Sequence, residues 1–172
     1  ERCMSATLPD FGGFRRIVQS PGQITMFYDT GQGQGWQRNI PISNAPHVPS
    51  HIRQWHGDSR ARWEGNTLVV DVTNFSPKSD YQGAHENLHL VERWTRTDAD
   101  TLEYEARIDD PNVYTRPWTL RTELRRVKTP GARIVEDECL EDENGVRHHI
   151  SPSDPRNLQK ADYSRWEKRG SK

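Results

Sequence analysis

Residues 101–109 read Thr-Leu-Glu-Tyr-Glu-Ala-Arg-Ile-Asp, an alternation that never breaks. Leu102, Tyr104, Ala106 and Ile108 fall on one side, and Glu103, Glu105, Arg107 and Asp109 on the other. A strand sends successive side chains to opposite faces, so an extended chain separates these two sets cleanly. A helix would scatter both around its axis. Residues 118–125 repeat the pattern, with Trp118, Leu120, Thr122 and Leu124 against Thr119, Arg121, Glu123 and Arg125. A chain carrying such segments must build half-buried sheet.

Turn residues divide the rest of the chain into pieces of similar length. Pro21-Gly22, Gly31 to Gly35, Gly65-Asn66, Pro111-Asn112, Pro130-Gly131 and Asn144-Gly145 separate short runs rich in β-branched and aromatic residues. The runs are 14–19, 23–29, 36–42, 60–64, 67–75, 87–97, 101–109, 118–127 and 133–140. Helical signals are nearly lacking. About nine antiparallel strands in a single domain over 1–150 predict an all-β barrel or sandwich. Residues 43–58, with Pro46 and Pro49, read as a long ordered loop. Residues 151–172 form a polar tail with room for one short helix near 156–166.

Charge narrows the partners. The 172 residues carry 24 basic and 25 acidic side chains, a net charge of −1. That balance supplies no electrostatic attraction to nucleic acid or to anionic lipid. No apolar run reaches the 18 residues of a membrane-spanning helix. Six tryptophans are many for this length, and indole is common where aromatic or sugar-like ligands are held, as well as in cores. Cys3 and Cys139 lie near the two ends of the predicted domain. A bridge between them would imply an oxidising compartment; two unrelated thiols are the alternative.

His85-Glu86-Asn87-Leu88-His89 spells H-E-x-x-H. On a helix it would set two zinc ligands and a general base on one face. As a helix, however, 84–96 has poor amphipathicity. As a strand it aligns Leu88, Leu90, Glu92 and Trp94, and a tight acidic turn joins it to the alternating run at 101–109. The strand reading removes the protease geometry, and no metal centre is expected. His47, His51 and His56 in the proline-containing loop read as surface histidines.

That strand reading singles out Glu92, a carboxylate in phase with Leu88, Leu90 and Trp94. Desolvation would raise its pKa toward the range a general acid or base needs. The alternative is an ion pair with an inward arginine, Arg126 or Arg62. Asp71 interrupts the most apolar run, and His89 lies three residues before Glu92, hence on the opposite face. These three are the candidate catalytic residues. Arg53, Trp55, Asp58, Trp94, Tyr104 and Trp118 are the candidate ligand contacts, with Asp58 alternatively capping a turn.

Trp55, Gly57-Asp58-Ser59, Trp63-Glu64-Gly65, Thr67–Asp71, Thr73 and Phe75 make up a motif. Glu86–Leu88, Leu90–Arg93, Asp110-Pro111 and Tyr114–Trp118 continue it. Over about residues 2–145 this resembles a large family of exported bacterial proteins with the pattern W-x-G-D-S-x-x-x-W-E-G-D-T-L-V-V; Asn66 departs from its usual Asp. The resemblance implies a lipocalin-like barrel, export to the periplasm or medium, a Cys3–Cys139 disulfide, and a variable residue at His85. A chain beginning at Glu1 fits a trimmed precursor. A small barrel holds one small ligand. The expected function is cofactor-independent acid–base chemistry, a lyase or isomerase step on an aromatic or apolar substrate inside the barrel. A non-catalytic exported binding protein and a zinc hydrolase are the alternatives, and barrel edges offer a route to a homo-oligomer.

Overall fold

The computed structural model describes residues 8–10, 14–29, 36–131, 139–141 and 147–149, and the described residues contain no helix. The strands are β1 (Phe14–Ser20), β2 (Gln23–Asp29), β3 (Trp36–Pro41), β4 (Asp58–Glu64), β5 (Thr67–Thr73), β6 (His89–Arg96), β7 (Thr101–Asp109), β8 (Trp118–Arg125), β9 (Cys139–Glu141) and β10 (Arg147–His149). They form antiparallel sheets β1-β2-β3 and β4-β5-β6-β7-β8, and a β9-β10 ribbon. The expected all-β antiparallel architecture is what the chain adopts. The predicted tail helix and the Cys3–Cys139 bridge fall outside the described residues or depend on one that does.

Between β3 and β4 the described residues make one parallel bridge, Ile42 to Ala61, in place of a ladder. Pro41 ends β3, and Pro46 and Pro49 carry no N–H, so the chain leaves the sheet at this point. No ladder joins β8 to β1 among the described residues, and the two sheets do not close into a single barrel there.

Cross-strand register lines up the core. Ser59, Val72, Leu90, Ile108 and Trp118 form one inward row of the larger sheet. Ala61, Val70, Glu92, Ala106 and Leu120 form the next, followed by Trp63, Leu68, Trp94, Tyr104 and Thr122. From the smaller sheet, Ile24, Met26, Tyr28, Trp36 and Ile40 are buried in the same core cluster. Tyr28 stacks on Trp36 and Trp36 on His56, with ring centroids 4.0 and 3.8 Å apart. The outer face of the larger sheet is mostly polar; of its two valines, Val91 is half-buried and Val69 is fully buried between its register neighbours Arg62 and Arg93. Their aliphatic stems can shield it.

The long connections at one end of the larger sheet are tied together. Asn74, with φ of 59°, aims its amide nitrogen at the carbonyls of Val48, Pro49 and Ile52 at 2.9, 3.1 and 3.2 Å. Its own carbonyl accepts from Gln54 N, and Ser79 Oγ donates to Trp55 O. Gly57 makes this packing possible. A Cβ there would meet Thr73 O at 2.5 Å and Val72 Cγ1 at 2.8 Å, and its φ is +65°. Gly57→Ala is therefore expected to cost roughly 2–5 kcal/mol, from left-handed strain plus overpacking. Chemical unfolding measures it; a loss below about 1 kcal/mol would contradict the contact.

Candidate functional site

β6 alternates its chemistry as it alternates its faces: Glu92 points inward, while His89 points outward. Each becomes the centre of a separate polar cluster.

Inside, Glu92 is fully buried. Tyr104 donates its hydroxyl to Glu92 Oε1 at 2.9 Å. Arg38, on β3, brings Nη2 within 2.6 Å of Glu92 Oε2, and the side chains are 3% and 0% exposed. The contact is an ion pair shut off from water. Arg38 also donates from Nε and Nη2 to Ser59 Oγ. Burial by itself would lower the Arg38 pKa, but the Glu92 charge opposes this and the net shift is upward. Burial, reinforced by Glu92, pushes the Tyr104 phenol well above its ordinary value. The sequence had suggested Arg126 or Arg62 as the inward partner; Arg38 takes that place. Arg62 instead bonds Glu64 on the outer face, and Arg126 follows the end of β8.

Outside, His47 reaches from the 43–58 loop and sets its ring between two carboxylates. Nδ1 lies 2.9 Å from Asp58 Oδ2 and Nε2 lies 3.0 Å from Asp71 Oδ1. Both bonds form together only when both ring nitrogens carry protons or a carboxyl does. Asp58 is held in turn by Val48 N and by Arg60 Nη1, at 3.1 and 2.6 Å. On the other side of Asp71, His89 Nε2 stands 3.2 Å from Oδ1 and 3.3 Å from Oδ2. The result is a run of carboxylate, imidazole, carboxylate, imidazole from a buried aspartate to an accessible ring. His89 is 41% exposed. Its hydrogen bond to Asp71 is the main cause that raises its pKa above 6.5; the same bond is the main cause that lowers the Asp71 pKa below 3.8. His89 Nδ1 has no hydrogen-bond partner among the described residues, while Nε2 is fixed by Asp71.

The structure thus brings Asp71, Asp58 and His89 together and sets Glu92 apart, behind the sheet. Strand parity foretold that separation. Trp94 and Tyr104 line the interior, with rings tilted at 46° and centroids 4.3 Å apart. Trp118 is half-buried among Tyr81 and Tyr114. Arg53 is spent on Glu86 O at 2.7 Å, and Trp55 is exposed. His85 of the H-E-x-x-H lies in a turn and bonds Ser79 O, while His89 opens β6, so the zincin helix does not form. No three His, Cys, Asp or Glu among the described residues are arranged to hold a metal ion. Arg38 escaped the sequence reading, and His47, read there as a surface histidine, is instead half-buried between Asp58 and Asp71. Arg38 had a signal, since it keeps phase with Trp36 and Ile40 in an apolar strand face. His47 had none beyond its loop, because its partners come from β4 and β5.

Comparison with family models, with curated proteins and with solved structures finds no match to this chain.

Two outcomes follow from the clusters. Arg38→Met or Glu92→Gln alone leaves one buried charge without its partner and is expected to cost about 3–5 kcal/mol. The double variant should lose less than either single one, and additive losses in urea unfolding would contradict the coupling. For the outer cluster, Asp71 is depressed, so its contribution is complete above about pH 3.8 and is lost as pH falls through the folded value. His89 is raised, so its contribution is complete below pH 6.5 and is lost as pH rises through the folded value. Their attraction is complete only between those limits. Because both groups are partly solvated, the stability excess over His89→Asn should be about 0.5–1 kcal/mol at pH 5. It should shrink by pH 9, and unfolding curves showing an unchanged difference would count against it.

Proposed function

We propose that this chain is an acid–base enzyme for a small molecule, with His89 as the group that moves the proton. The observation that carries the reading is the accessible His89 ring, held at Nε2 by both oxygens of Asp71. A carboxylate on one ring nitrogen fixes the tautomer and orientation, and stabilises the imidazolium that forms when the other takes a proton. Asp71 is oriented by His47, and His47 by Asp58, so the support extends back to a buried group.

The step is proton transfer. Nδ1 of neutral His89 accepts a proton from an activated C–H or from water, and the imidazolium returns it to the product or leaving group. A lyase or isomerase step matches this capacity. Glu92 is fully enclosed and engaged by Arg38 and Tyr104; its part here is to hold the two sheets together. The resemblance to exported bacterial proteins supports placing the chain outside the cytoplasm, with the two sheets as walls of a lipocalin-like barrel.

A turnover screen with carbonyl compounds bearing acidic C–H bonds, and with activated esters, tests the assignment. His89→Gln should lower the rate found by about 10²–10⁴-fold. The base form is needed, so kcat/KM should rise with pH through a value above 6.5. Asp71→Asn removes the bond that raises it and should move that limb downward. Turnover unaffected by His89→Gln would remove His89 from the mechanism.

A further inference from the structure

The inward face of the smaller sheet does not end where the core ends. Gln19 pairs with Ile24 across β1 and β2, which puts its side chain on the buried side of that sheet. Ile42 continues the inward phase of Ile40 and bridges to Ala61. Trp63 begins the inward row that runs on to Leu68, Trp94 and Tyr104. At this edge the sheets part, and Trp63 is 47% exposed although its neighbours in that row, Leu68 and Trp94, are 4% exposed. Between them lies an open groove of about 700 Å³ lined by Gln19, Ser20, Pro21, Gly22, Ile42 and Trp63.

We propose that this groove is a binding site for a neutral saccharide. The lining carries no ionisable side chain, so it offers a charged ligand no counter-charge. It offers the half-exposed indole of Trp63, and an aromatic ring suits the flat C–H face of a pyranose. Beside the indole stands the Gln19 amide, which both donates to and accepts from sugar hydroxyls, while the Ser20 hydroxyl donates to Gln23 O. Pro21 and Ile42 supply the apolar flanks. The ionic groups nearest in sequence, Arg62 and Glu64, are bonded to each other at 2.7 Å on the outer face. Such a groove is too shallow and open to enclose a purely apolar molecule, whose binding needs burial of most of its surface. A sugar ring needs one covered face and a few directed hydrogen bonds, and can keep its other face in water.

The site is independent of His89, which belongs to the outward face. Titration of the full chain with maltotriose, cellotriose and N-acetylchitotriose, followed by calorimetry and tryptophan fluorescence, tests the proposal. At least one should bind. Trp63→Ala should weaken that binding by about tenfold or more, while Trp63→Phe, which keeps an aromatic platform, should retain most of it. Gln19→Ala should weaken it less, and His89→Gln should leave it unchanged. Co-sedimentation with insoluble starch, cellulose and chitin distinguishes a polymer surface from free oligosaccharides as the natural source. No binding to any soluble or insoluble saccharide, or binding unchanged in a folded Trp63→Ala protein, would overturn the assignment.

Discussion

The buried contact between Arg38 and Glu92 ties the two sheets to each other. It joins β3 of one sheet to β6 of the other, in a core where most neighbours are apolar. Two charges out of water are stable only as a pair with further bonds, and here Tyr104 and Ser59 provide them. Such a pair contributes little net stability compared with apolar residues of similar volume. What it adds is specificity, because any packing that displaces β3 from β6 strands a charge in the core. Edge to edge, the described parts of the two sheets meet at only a single bridge. The angle and register between them therefore rest on the core contacts.

The outer cluster depends on a different device. His47 lies in a loop without regular structure, yet it is placed as firmly as a strand residue. Asn74 gathers three of the loop's carbonyls, Gly57 lets its backbone approach Thr73, and Asp58 receives both the His47 ring and Val48 N. One short motif thus faces both ways. Asp58 serves the outward cluster, and its neighbour Ser59 accepts from Arg38 in the core. The tight turn at Gly57 aligns both.

Most of the fold was legible because period two is a strong signal in an antiparallel sheet. The predicted run at 101–109 coincides with β7, that at 118–127 overruns β8 by two residues, and the tight turn after Arg96 joins β6 to β7 as expected. The inward phase of Glu92 and the outward phase of His89 were both readable from parity. The partners were not. Arg38 lies 54 positions before Glu92 in the chain, and no local pattern says which sheet faces which. His47 meets Asp71 across 24 positions through a loop whose path is set by side-chain bonds to carbonyls. Long-range pairs of this kind are chosen by packing, which a one-dimensional reading does not contain.

His89 and Glu92 are only three positions apart, and they lie on opposite surfaces of one strand. Sliding β6 by a single position against its neighbours would put the imidazole among aliphatic side chains and the carboxylate in water. Both errors would arise together, each with a desolvated or deserted polar group. β6 therefore carries its own check on alignment: the chemistry that marks the right arrangement also penalises the nearest wrong one, before any ligand arrives.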